Sequence, residues 1–208
     1  MSRIFDIADD YIDQIAAMQP IVATYFGVPG HETEMPDNSP DGDAAQAELD
    51  RSTLAELKVA ETENDRDRIA RDVMTEEIEI GLEAYEAGEQ YRGMNILHSP
   101  FQSARQIFDL MARDTKEDWD NIAARMARVP DALSSYKETL EEGVGRGQTT
   151  TRRQVIGVIE QAKVYSGQKG NPSFFDGLVT AYDVSGLSDG TLRERLANSA
   201  VDASAAFA

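Results

Sequence analysis

Ser99-Pro100-Phe101-Gln102-Ser103-Ala104-Arg105-Gln106-Ile107-Phe108-Asp109-Leu110-Met111 is the stretch that decides the fold class. A serine that caps a helix, a proline in the first turn and a glutamine three residues after the serine form a strong helix-start signal. Phe101, Ala104, Ile107, Phe108 and Met111 then recur at spacings of three and four, which gathers them on one helical face. The same grammar continues downstream. Thr115-Lys116-Glu117-Asp118 opens a helix through Trp119, Ile122 and Met126, and Pro130 starts another through Leu133, Tyr136 and Leu140. Thr149 to Tyr165 reads as the next. Asn171-Pro172-Ser173 breaks the chain before a short apolar helix with Phe174, Phe175, Leu178 and Tyr182.

Upstream, Ile4, Ile7, Ala8, Tyr11, Ile12, Ile15 and Met18 form an apolar face that Pro20 interrupts, with the apolar run Ile21 to Phe26 after it. Residues 27–43 are the longest turn-rich segment, and a connection of this length inside a compact domain tends to be functional or mobile. Ser39-Pro40 repeats the cap-and-proline signal ahead of a helix through Leu49, Leu54 and Leu57. Residues 65–87 predict a helix with the stripe Ala70, Val73, Met74, Ile78, Gly81, Leu82 and Tyr85, stopped at Gly88. No pair of strand-like runs joined by a hairpin turn is present. The expected fold is all-α, a multi-helix array.

The last segment predicts something further. Leu192, Leu196, Ala200, Ala203 and Phe207 mark a stripe that runs to Ala208 without a glycine stop or a basic last turn. Residues 1–208 therefore read as a single N-terminal helical segment of a larger domain, truncated at the C-terminus inside a helix. On that reading the stripe lacks its partner and should be sticky or frayed.

The net charge is −18, unevenly placed. Residues 1–98 carry 7 Lys+Arg against 23 Asp+Glu, and residues 99–208 carry 13 against 15. Such a surface repels phosphate backbones and anionic lipid, which argues against nucleic-acid and membrane partners. No run approaches the roughly 18 apolar residues of a membrane span. The N-terminus turns acidic at once and lacks the apolar core of a secretion signal, which favours the cytoplasm. With 0 cysteines, thiolate chemistry and disulfides are out of reach.

Motifs for catalysis are missing. The 2 histidines, His31 and His98, lie 67 positions apart, whereas a His-Glu-x-x-His zinc helix needs both rings four residues apart on one face. The acidic pairs lack the spacing of an EF-hand loop. Gly143-Val144-Gly145-Arg146-Gly147 follows a helix rather than a strand and lacks the lysine of a phosphate loop, so it reads as a helix stop. Neither catalytic nor metal-ligating residues can be assigned.

Three segments in order carry a resemblance: residues 65–71 running into Glu76-Glu77-Ile78-Glu79, residues 95–111, and Asp118-Trp119-Asp120-Asn121-Ile122-Ala123-Ala124-Arg125 leading to Val129-Pro130. Residues 36–42 and 174–178 add to it. Together they resemble the N-terminal portion of the bacterial "domain of unknown function 885" family, over nearly the whole chain. The resemblance implies a large helical zinc peptidase of the His-Glu-x-x-His type, whose metal-bound water attacks a peptide carbonyl with the motif glutamate as base. It places that motif in a later part of such proteins, so zinc is implied for the full-length protein and no cofactor for this chain. The chain would then be scaffold and channel wall, an incomplete part of a larger helical peptidase-like fold. Its partners would be the missing C-terminal part of its own fold and a peptide substrate. Gln102, Arg105 and His98 are the candidate substrate-binding residues, Arg105 as a partner for a peptide carboxylate. Against this, Gln102 can simply complete a capping box, Arg105 can pair with Asp109 four residues on, and His98 can pack at a helix start.

The alternative from another class is a free-standing acidic helical interaction module that binds a basic partner. A third is a broken gene product without function. A reading frame that continues past Ala208 into a His-Glu-x-x-His helix distinguishes the first expectation from both.

Overall fold

A computed structural model describes residues 2–208. Among them are α1 (Arg3–Met18), α2 (Pro20–Phe26), α3 (Pro40–Val59), α4 (Asp65–Glu86), α5 (Glu89–Arg92), α6 (Pro100–Gln106), α7 (Lys116–Met126), α8 (Val129–Arg146), α9 (Arg152–Tyr165), α10 (Phe174–Asp183) and α11 (Gly190–Ala206). A 3-10 turn, Ile107–Asp109, follows α6, and no strand occurs among the described residues. The fold is the all-α multi-helix array that the periodicity predicts.

The helix starts are set by short polar residues. Ser39 accepts from the Gly42 N–H, Asn64 from those of Arg66 and Asp67, and Thr151 from that of Gln154. Thr115/Asp118 and Ser173/Asp176 form full capping boxes, each pairing two otherwise orphaned N–H groups. Ser99 behaves differently. Its hydroxyl donates to the side-chain oxygen of Gln102 (2.5 Å) and accepts nothing from the helix it precedes. The face expected to run from Phe101 to Met111 also shortens. The α-helix ends at Gln106 and tightens into the 3-10 turn, because Ile107 and Phe108 are fully buried and the chain must turn there towards α7. Arg113 caps that end by donating to the Phe108 carbonyl (2.7 Å).

Two apolar clusters hold the array. The larger gathers Ile21, Ile107, Phe108, Trp119, Ile122, Met126 and Val129 with Phe175, Leu178, Tyr182 and the inner face of α11. The smaller joins α1, α3 and α4 through Ile4, Ile7, Ala47, Leu57, Ile78 and Leu82. Contacts between α3 and α8 link the two.

The stripe on α11 corrects an expectation. Leu196 and Ala203 are fully buried and Leu192, Ala200 and Phe207 nearly so. The stripe packs on α10, α7 and α8 of this same chain. Phe207 closes edge-on against Phe101 and Tyr165, with ring centroids 5.0 and 5.6 Å apart. Sequence periodicity shows that a face is apolar, but not which element covers it.

Candidate functional site

Beside the larger cluster, the surface opens into a cleft of about 730 Å³. One wall is α2, through Ile21, Val22, Tyr25 and Phe26. Another is α8, through Ala132, Tyr136 and Thr139. Met35, Pro36, Asn38 and Asp43 line the cleft as well, as do Gln90, His98, Ser99 and Ala104. A mostly apolar concavity with a few polar groups is the usual form of a small-ligand site.

The wall formed by residues 27–39 is held by Arg125, a fully buried side chain on α7. Its guanidinium donates to the carbonyls of Glu34 (3.0 Å), His31 (2.5 Å) and Pro20 (3.4 Å) and to the Thr24 hydroxyl (3.0 Å). Arginine suits this place because its fork of five donors reaches several acceptors at once. Burial pulls its pKa down to about 10, and the nearby Glu32 and Glu34 oppose that. The long loop is therefore tied to α7 rather than loose. Its far end docks on α8, where Asn38 receives the Thr139 hydroxyl proton (2.7 Å) and gives its N–H to Ser135 (3.0 Å).

Three polar atoms of the cleft residues are buried and have no hydrogen-bond partner: one carboxylate oxygen of Asp43, the Tyr136 hydroxyl and the side-chain oxygen of Gln90. Buried polar atoms are rarely left so. The neighbouring hydroxyls give their protons elsewhere, Thr139 to Asn38 and Ser99 to Gln102, so Asp43 and Tyr136 each keep acceptor capacity, although the Ser99 oxygen can still accept from Tyr136. Burial, and then the negative charge of Asp37, push the Asp43 carboxyl up to about 6. Burial pushes the Tyr136 hydroxyl up to about 12. Gly42 makes this approach possible, since a side chain there would collide with the backbone of Asp37.

Of the three expected binding residues, only His98 lines the cleft, and it is exposed. Gln102 is fully buried. Its amide donates to the Asn95 carbonyl (2.8 Å) and the Gln161 side chain (2.8 Å), which pins the 95–99 turn to α9. Arg105 pairs with Asp109 (2.6 Å) and lies over the Phe174 ring at 4.1 Å. The polar groups of both are thus largely taken up within the chain. Sequence reasoning missed Asp43, Gln90 and Tyr136. Tyr136 sits in an apolar stripe and reads as core, while Asp43 reads as an ordinary acid in the first turns of a helix.

Zinc, which the resemblance implies for the full-length protein, does not fit the donors described here. No group of three or more His, Asp or Glu side chains among the described residues is arranged to hold a metal ion. The His31 ring is engaged with Glu34 (3.0 Å). No helix among the described residues is long and apolar enough to cross a membrane.

A family model described as "Bacterial protein of unknown function (DUF885)" matches residues 20–208. No curated protein matches the chain. The matched span takes in α2 to α11, and with them every residue that lines the cleft except Gln19.

Proposed function

The chain belongs to the DUF885 family, and from that premise we propose that it is the N-terminal wall of a peptide-binding channel whose hydrolytic zinc is held by a later His-Glu-x-x-His segment. On this reading the chain binds and positions, and the chemistry is done elsewhere. The observation that carries it is the cleft beside α2, with apolar walls for side chains and polar groups for a main chain. Channel walls need this combination, because an extended peptide presents both kinds of group.

Calorimetric titration with an apolar dipeptide amide, leucyl-phenylalaninamide, tests it. Saturable binding is expected, with a loss of about tenfold or more in Val22→Trp, which fills the cleft from the α2 side. Undetectable binding, or binding untouched by the substitution, overturns the reading. One observation favours the alternative, an interaction module. Val155, Ile156 and Ile159 lie exposed along one face of α9, and the exposed Ile96 packs against the same helix at Gly157. Contiguous apolar patches of that kind commonly mark protein contacts.

A further inference from the structure

The geometry points to Asp43 and Tyr136 as a recognition site for a protonated amine carried on an apolar group, such as the amino terminus of an apolar peptide. The inference rests on the cleft being the binding site, and it names what the cleft selects.

Three observations support it. The first is the unpartnered set itself. Asp43 and Gln90 each offer an acceptor oxygen and Tyr136 a hydroxyl that can accept, and Tyr136 is 5% exposed. An ammonium group carries three donors and no acceptor, which complements such a set. A carboxylate or phosphate ligand would bring further acceptors and like charge against Asp43. The second is charge. Among the described residues lining the cleft there is a carboxylate and no Lys or Arg. No salt bridge among the described residues engages Asp43, and the charged group that acts on it, Asp37, is negative. A cation entering the cleft relieves this repulsion in partly desolvated surroundings, where a charge-assisted hydrogen bond is strong. The third is shape. Ile21, Val22, Met35, Pro36 and Ala132 give the rest of the cleft an apolar lining that would take a hydrocarbon or aromatic body.

Each partner has its own structural support. Asp43 follows the Ser39 cap and Gly42, so the first turn of α3 fixes its position. Tyr136 projects from the middle of α8.

Titration of the whole chain with three probes tests the inference. These are leucyl-phenylalaninamide, its N-acetyl counterpart and phenethylamine, each against the parent chain, Asp43→Asn and Tyr136→Phe. Circular dichroism spectra first establish that the variants fold. The free amines are expected to bind at least about tenfold more tightly than the acetylated peptide, as loss of a charge-assisted contact implies. Asp43→Asn should erase that preference by weakening the free amines to the affinity of the acetylated peptide, and Tyr136→Phe should weaken it in part. Equal binding of both peptides with no effect of Asp43→Asn overturns the amine site and leaves the peptide cleft standing. Binding of phenethylamine alone, dependent on Asp43, supports the amine site and removes the peptide reading. Failure of all three probes overturns both.

Discussion

Asp43 and Arg125 are the residues whose burial shapes the cleft, and each leads to a measurable consequence. A carboxyl with a folded-state value near 6 and an unfolded value near 4 binds more protons folded than unfolded between those two pH values. Stability from this group is therefore fully present below about pH 4 and lost as the pH rises through about 6. Asp43→Asn is expected to remove that slope and to stabilise the chain at pH 7 by about 1–2 kcal/mol, after discounting for partial exposure. Urea unfolding of both proteins at pH 4, 6 and 7 checks this, and parallel pH profiles would refute it. Arg125→Leu leaves the Glu34 carbonyl without its donor and removes the guanidinium from the His31 and Pro20 carbonyls and the Thr24 hydroxyl, each of which keeps another hydrogen bond. At about 1–3 kcal/mol for a buried group left unpaired, with the lost charge-assisted bonds added, a loss of about 2–3 kcal/mol is expected. Protease cleavage should concentrate within residues 27–39, and an unchanged digestion pattern would contradict the account. Neither role is legible in one sequence. Arg125 reads as a surface arginine near the end of a helix, and its four acceptors lie 91 to 105 positions away.

At the scale of elements, the helices were legible wherever local chemistry makes them. Caps act within three residues, so Ser39, Thr115 and Ser173 announce α3, α7 and α10 directly. Ser99 shows the limit. Its motif is that of a capping box, but the Gln102 side chain meets a distant partner, Gln161, and the local pattern yields to it. The glycines of α8 give a paired test of the same distinction. A methyl group on Gly143 would sit 2.8 Å from the Tyr91 β-carbon and 2.7 Å from the Gln148 carbonyl oxygen, so α5 and α8 could not stay as close. Gly145 meets nothing within 4 Å. Gly143→Ala is expected to destabilise by about 1–3 kcal/mol, and Gly145→Ala to stabilise by about 0.5–1 kcal/mol through helix propensity. Equal effects in chemical denaturation would show that the α5–α8 contact is looser than described.

Across the whole molecule, two clusters are joined through α3 and α8, and the cleft opens beside the larger one. The fold class was legible because the period of the apolar residues is a local property. The covering of α11 was not, since besides the adjacent α10 it depends on α7 and α8, which end at Met126 and Arg146, far outside the reach of a local pattern. Leu196, fully buried, tests that packing. Leu196→Ala is expected to cost about 2–5 kcal/mol in equilibrium unfolding, and a cost below about 1 kcal/mol would mean that the helix is not part of the core. The cleft was equally hidden, because its walls come from segments more than 100 residues apart. Its claim to be the binding site is tested most directly by hydrogen exchange with and without saturating leucyl-phenylalaninamide. The account predicts added protection within residues 19–26, 35–43, 90–104 and 132–139 together. Protection confined to α9, or none anywhere, would contradict it.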